Sequence, residues 1–394
     1  MIDFKRLAAL VLTGTMSLSL LSGCGSTAPS APADVSDAAS SVVEVDLSTI
    51  TDICRFTAGL DSRQVVATVN KREITAEEVL YWVALYCDEI LDYYSYYGLD
   101  EIPWDTELEG GDTFAQYILS DALNGAALYH LLEAQADLEG LSVSQEDLDA
   151  VAQSLEAIRK DQQEQGSTAE AYLRQFVLTP ELYTRYCGCE YLFQALADAH
   201  YGVKTSNYPT DEQIMDYVEQ TLGLYSTKHI LLATLDTATY QPLDEATVAK
   251  KKEQAKDLFQ QLKQSSDPAT LFDTLMNEYS EDPGLAGNPD GYLGISPGMF
   301  DPAYEQAAMA LEVGQISNVV EGSSGFHIIQ RLPLEVDPAL YREDYINDKM
   351  MAERDKWMAA AKIQTNEYYD SIDAKAFYNA LTAYRLAVAE QAEG

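Results

Sequence analysis

Apolar and polar positions follow two rhythms along this chain, and the change between them divides it into three stretches. The first, from about Arg63 to Gly202, is mostly helical in period. It opens with "VVATVN", which reads as a short strand, and the polar turn "NKRE". Thr75 and Glu78 then stand three apart, the spacing of a capping box, and predict the start of an amphipathic helix. "TFAQYILSDALNGAALYHLLEAQADLEG" places apolar residues three and four apart and stops at Gly140. "SVSQEDLDAVAQSLEAIRKDQQEQG" repeats the design with Ser144 as N-cap, and "TPELYTRYCGCEYLFQALADAHYG" follows with Pro180 in its first turn. "PTDEQIMDYVEQTLG" is a shorter fourth helix.

Near Leu224 the rhythm changes. "YSTKHILLATL" reads as a strand. Glu245 to Lys263 predicts a helix with Val248, Ala255, Leu258, Phe259 and Leu262 on one face. "DPATLFDTLMNEYS" predicts a second, with Asp267 as N-cap and Pro268 at N1. A loop rich in glycine and proline, "EDPGLAGNPDGYLGISPGMF", contains a short strand. A third helix starts at Asp301-Pro302 and is expected to stop at Gly314. "SNVVE" and "GFHIIQRL" predict a closing hairpin through "GSSG". After Leu334 the helical rhythm returns in "REDYINDKMMAERDKWMAAAKIQ" and again from Asp370. The fold class is therefore α+β: a small antiparallel sheet flanked by helices, inserted in a mainly helical domain built from N- and C-terminal segments. The expected division is a signal segment at 1–23, a tether at 24–60, helical segments at 61–223 and 335–394, and the inserted block at 224–334.

The N-terminus predicts export. Lys5 and Arg6 precede an apolar run from Leu7 to Leu21, and "LSGC" ends at Cys24. This pattern matches a bacterial lipobox, which implies cleavage before Cys24 and lipid attachment to it, the run being short for a membrane span. "GSTAPSAPADVSDAASS" then reads as a flexible tether. The formal net charge of −39 argues against nucleic acid as a partner and against docking on anionic lipid through basic residues. Cys54, Cys87, Cys187 and Cys189 match neither a redox motif nor a zinc pattern, and read as structural thiols or one disulfide.

The chain has 4 histidines, and two of them, His229 and His327, interrupt apolar strand-like runs. Alternate strand residues share a face. If both strands lie in one sheet, the imidazoles meet on one side and each satisfies the other through one nitrogen. Spacing alone favours the plainer alternative, two unrelated half-buried histidines.

The surrounding residues change that weighting. "KHILL", "EYSEDPGLAGNPDGYLGISPGMF", "YEQAAMALEVGQIS" and "SSGFHIIQRL" occur in the order and spacing of the parvulin-type peptidyl-prolyl isomerases, which the block from Tyr225 to Leu334 resembles. With the lipobox and the bracketing helical segments, the layout is similar to extracytoplasmic foldase lipoproteins of the PrsA type. The resemblance implies a catalytic set of His229, His327, Asp282 and Ser324. It implies a proline pocket at Leu293, Phe300 and Tyr304, with Met299 adjacent. Phe300 and Tyr304 stand where the family commonly has Met and Phe, and the Tyr304 hydroxyl needs a partner. No cofactor or metal is implied. Partners would be unfolded or partly folded exported proteins presenting X-Pro segments, and the membrane through Cys24, on the outer face of a Gram-positive-type envelope. A homodimer stays open. The loop "ATLDTATYQPLDEAT" carries no Lys or Arg, so no preference for phosphorylated sites is expected. An alternative is a holdase that binds clients with a weak or inactive parvulin block. The 26 tyrosines fit either helix packing or an exposed client cradle.

Overall fold

The computed structural model describes residues 45–236 and 239–393. The apolar N-terminal run, Cys24 and most of the tether, with the lipid attachment expected there, lie outside the described residues. By internal contacts the chain forms two units, one reaching to Asn207 and resuming at Lys349, the other Tyr208–Asp348.

The first unit is helical around a small sheet. A short helix, α1 (Ile53–Ala58), precedes the hairpin of β1 (Val65–Val69) and β2 (Arg72–Thr75). Helix α2 (Ala76–Ser95) starts at the Thr75–Glu78 capping box read from the sequence. Then come α3 (Phe114–Glu139), α4 (Gln145–Glu164), α5 (Ala169–Arg174) and α6 (Pro180–Tyr201). Ser144 caps α4 through a bond from the Asp147 amide, 3.2 Å. Much of the tyrosine content is packing: Tyr81, Trp82, Tyr86, Tyr129 and Tyr186 form one buried aromatic cluster. Tyr96 and Tyr97, just past α2, are exposed. The capping residue Glu78 is buried and also meets His130 at 2.8 Å and the Arg185 guanidinium. Burial would raise its pKa, but bonding to His130, the Arg185 charge and the Thr75 amide pull it down to about 2. Cys54, Cys87, Cys187 and Cys189 are buried, and no disulfide joins them.

The chain returns to this unit along α11 (Arg342–Ala360), numbered after the second unit's helices. Ile363 and Gln364 were expected to end the helix, but Ile363–Thr365 form a strand, β7, on the open edge of β1. The sheet order is β2-β1-β7. An exposed strand edge offers unpaired backbone groups. Here Asn70 accepts the Lys362 amide through its side chain at 3.0 Å, and Val66 accepts the Asn366 amide at 3.2 Å. A one-turn helix, α12 (Glu367–Asp370), and α13 (Ala374–Glu393) complete the unit. Arg385 on α13 holds Asp88 of α2 with two bonds, 2.7 and 2.9 Å.

The second unit opens with α7 (Asp211–Gln220), whose Ile214 and Val218 pack with Leu224, Leu334 and Val336. Strand β3 (Tyr225–Ala233) is central and buried along its whole length. Helices α8 (Glu245–Gln264) and α9 (Pro268–Tyr279) follow, then β4 (Tyr292–Ile295), α10 (Pro302–Met309), β5 (Val320–Glu321) and β6 (Gly325–Leu332). The sheet is antiparallel in the order β4-β3-β6-β5. One face carries Ile230, Leu232, Phe326 and Ile328 against α8 and α9. The other carries Tyr225 and Ile329 against Tyr304 and Ala308 of α10. Helix α10 ends at Met309, earlier than the Gly314 expected from sequence. The following residues leave the helix to bond β6: Gly314 donates to Arg331 at 2.9 Å and Ser317 to Ile329 at 2.8 Å.

Candidate active site

The register of β3 and β6 decides whether the two strand histidines meet. His229 lies opposite Ile329, and Leu231 opposite His327. Opposed residues of an antiparallel pair point to one side, so His229 and His327 are diagonal neighbours on the α10 face. Their ring centroids are 5.3 Å apart and nearly perpendicular. The hydrogen bond between them that the sequence led us to expect does not form. His327 finds no hydrogen-bond partner for either nitrogen among the described residues.

His229 is held by other groups. Its Nδ1 is 3.0 Å from the Tyr304 hydroxyl, which is 2.8 Å from Thr227 Oγ1. Its Nε2 is 3.5 Å from Asp282 Oδ2, an ion-pair distance longer than a good hydrogen bond. A carboxylate only accepts, so the tautomer that fits has its proton on Nε2. Nδ1 then accepts from Tyr304, and the Tyr304 oxygen accepts from Thr227. Asp282 is fixed in turn: Oδ1 accepts the Gly284 amide at 3.0 Å and Oδ2 the Tyr292 hydroxyl at 2.6 Å.

Burial lowers the pKa of both imidazoles. For His229 the nearby Asp282 partly opposes this. His327 is pushed down to about 4 by burial and by the neighbouring His229. Both rings are neutral at pH 7. Burial raises the pKa of the Tyr304 and Tyr292 phenols, so both keep their protons and remain donors.

The aromatic residues continue outward from the histidines. Phe300 stacks on Tyr304 at 4.8 Å and stands edge-on to Tyr292 at 5.2 Å. Tyr292 lies parallel to His229 at 5.6 Å. Tyr304, expected as a pocket residue, is fully buried and belongs to the hydrogen-bond network, and Thr227 and His229 are the partners its hydroxyl needed. Leu293 and Met299 are exposed at 53% and 72% and stand outside the buried apolar clusters. Ser324 is tied in by its backbone, whose carbonyl accepts the Thr234 amide at 2.9 Å. Among the described residues no hydrogen bond joins its hydroxyl to either histidine.

Sequence reasoning missed three participants. Thr227 shares the His229 face two residues away, which strand alternation could have flagged. Tyr292 is revealed only by the folded loop. Glu305, in the first turn of α10, accepts the Gly298 and Phe300 amides at 2.9 and 3.1 Å and so shapes the Met299–Phe300 loop. Its first-turn position, favourable for an acid, was the available signal.

Residues 229–332 match the family model of the PPIC-type PPIase domain. The chain is 25% identical to the foldase protein PrsA of Caldanaerobacter subterraneus subsp. tengcongensis over 316 residues, covering 77% of this chain and 87% of that protein. It is 37% identical to the chaperone SurA of Pectobacterium atrosepticum over 110 residues, covering 26% of this chain and 25% of that one. Among solved structures, PrsA from Bacillus cereus is 22% identical with a TM-score of 0.27, over 64% of this chain and 86% of that one. With the histidine pair, the carboxylate and the aromatic wall built on its sheet, the block at 229–332 is a parvulin-type peptidyl-prolyl isomerase domain, and the chain that carries it is similar over most of its length to a PrsA foldase.

Proposed function

We propose that the chain assists exported polypeptides outside the cytoplasmic membrane, held there by lipid on Cys24, and that His229, Asp282, His327 and Tyr304 form its isomerase site. One observation carries the site assignment: a buried hydrogen-bonded chain from Thr227 through Tyr304 to His229, whose Nε2 faces Asp282 at 3.5 Å, beside an apolar surface.

Rotation about an X-Pro bond faces a barrier of about 18–20 kcal/mol, set by amide resonance. No bond is broken, so the site need only favour the twisted amide over the planar one. Leu293, Met299 and the half-buried Phe300 offer the proline ring an apolar seat. The planar amide places partial negative charge on its oxygen. Asp282 beside that oxygen disfavours the planar form. Neutral histidines supply no positive charge that would stabilise it. The imidazoles thus orient the network and attack nothing. Lys251 and Lys252 face Glu281 and Glu321, which leaves little free positive charge for a substrate phosphate.

The test is cis–trans exchange of an unphosphorylated Ala-Pro peptide by the full chain. Asp282→Ala and His229→Ala should each slow turnover about tenfold or more. A parent rate no higher than background would sink the isomerase site, and preference for a phosphorylated peptide would sink the expected specificity. A second reading, client holding by the helical unit, is favoured by exposed Tyr96 and Tyr97. Suppression of client aggregation that disappears on Tyr96→Ser and Tyr97→Ser would support it.

A further inference from the structure

Resting on the isomerase reading of this site, we infer that Tyr292 is a positioning residue for the reaction: its hydroxyl and its ring together hold Asp282 and His229 in the arrangement that acts on the amide. Three observations converge. The hydroxyl donates to Asp282 Oδ2 at 2.6 Å, the same oxygen that faces His229 Nε2. The ring lies parallel to the His229 imidazole, 3° from coplanar orientation at 5.6 Å. The loop is shaped to admit the phenol: a Cβ on Gly284 would stand 2.0 Å from the Tyr292 oxygen.

Without this bond Asp282 is anchored on one oxygen only, by the Gly284 amide. The carboxylate could then rotate about its Cβ–Cγ bond and lose its place beside the imidazole. The bond joins a neutral donor to a charged acceptor, the stronger kind. It also ties the first residue of β4 to the far end of the loop, so the loop cannot open without releasing Asp282. The ring acts separately: it covers one face of His229 while Tyr304 and His327 stand edge-on to that imidazole. Phe300, edge-on to Tyr292, gives the phenol a second wall.

The deciding experiment is a double-mutant cycle in the full chain between Tyr292→Phe and Asp282→Ala, read by peptide isomerisation and by imidazole NMR. Only 4 histidines are present, so each ring can be followed. Tyr292→Phe keeps the ring and removes the hydroxyl. We expect kcat to fall about tenfold with KM changed less than twofold. In the Asp282→Ala background the same substitution should cost nothing further. The His229 resonances should move in Tyr292→Phe while those of His130 and His200 stay. Unchanged kcat, a rise in KM alone, or losses that multiply across the cycle would overturn the proposal. Gly284→Ala is the second variant, since it displaces the phenol with every network side chain retained. It should reproduce the Tyr292→Phe loss. An inactive parent chain would count against the isomerase reading. The spectra would then decide alone: a His229 shift on Tyr292→Phe that vanishes with Asp282→Ala supports Tyr292, and no shift refutes it.

Discussion

His327 is buried beside His229 and has no hydrogen-bond partner among the described residues, and this fixes how it responds to acid. Its pKa falls from 6.5 to about 4 on folding. Between those values the unfolded chain binds the proton more readily than the folded one. The contribution to stability is therefore complete above pH 6.5 and is lost as the pH falls towards 4, by about 3 kcal/mol in all. His200 behaves oppositely. Burial lowers its pKa, but bonds to Glu139 and Glu353 outweigh this and raise it. Its contribution is complete below the unfolded value and fades as the pH rises through the folded one. An NMR titration should find His229 and His327 titrating below 6.5 and His200 above it. Titration of His327 above 6.5 would contradict the burial argument.

At the scale of elements, the hairpin of β5 and β6 delivers His327, and its entry is tight. A Cβ on Gly325 would lie 2.3 Å from the Leu232 carbonyl oxygen. Gly325→Ala should destabilise this end of the ladder by about 2–4 kcal/mol. Amide hydrogen exchange would then speed up in β3 and β6 and stay unchanged in α2 and α3. Unaltered protection in β3 would refute the prediction. Most elements were legible because their signals are local. Thr75–Glu78, Ser144 and Asp267 cap the helices they were read to cap. The histidine positions were legible for a related reason, since period-two alternation assigns faces before any partner is known. What was hidden depends on distant partners. Nothing in "KIQT" signals a strand until Asn70, far away in sequence, meets Lys362. Tyr292 reaches Asp282 only because the intervening loop folds back, and strand alternation does not report that. Leu293, the neighbour singled out by resemblance, points to the exposed side of the same short strand.

For the whole molecule, the two units imply separable behaviour. Tyr208–Asp348 contains the sheet, α10 and every residue of the proposed site. The helical unit takes β7, α13 and the Arg385–Asp88 pair from its C-terminal part. Removing residues 349–394 should leave peptide isomerisation within about twofold of the full chain. The same deletion should abolish the cooperative thermal transition of the helical unit, because it uncovers the β1 edge and leaves Asp88 without its guanidinium. Equal loss of both properties would show that the units depend on one another. The charge of −39, plain from composition, bears on solubility and encounter rates and says little about this division.

The pairing of β1 with β7 also sets an order of events. A chain that emerges from its N-terminus presents β1 early, but the strand that covers its edge arrives almost last, since Val65 and Asn366 are 301 positions apart. The isomerase unit has all its strands in hand well before that. The middle of the chain can therefore close first, while the beginning waits for the end. During that interval the edge of β1 has no strand beside it, and the last residues of the chain close what the first began.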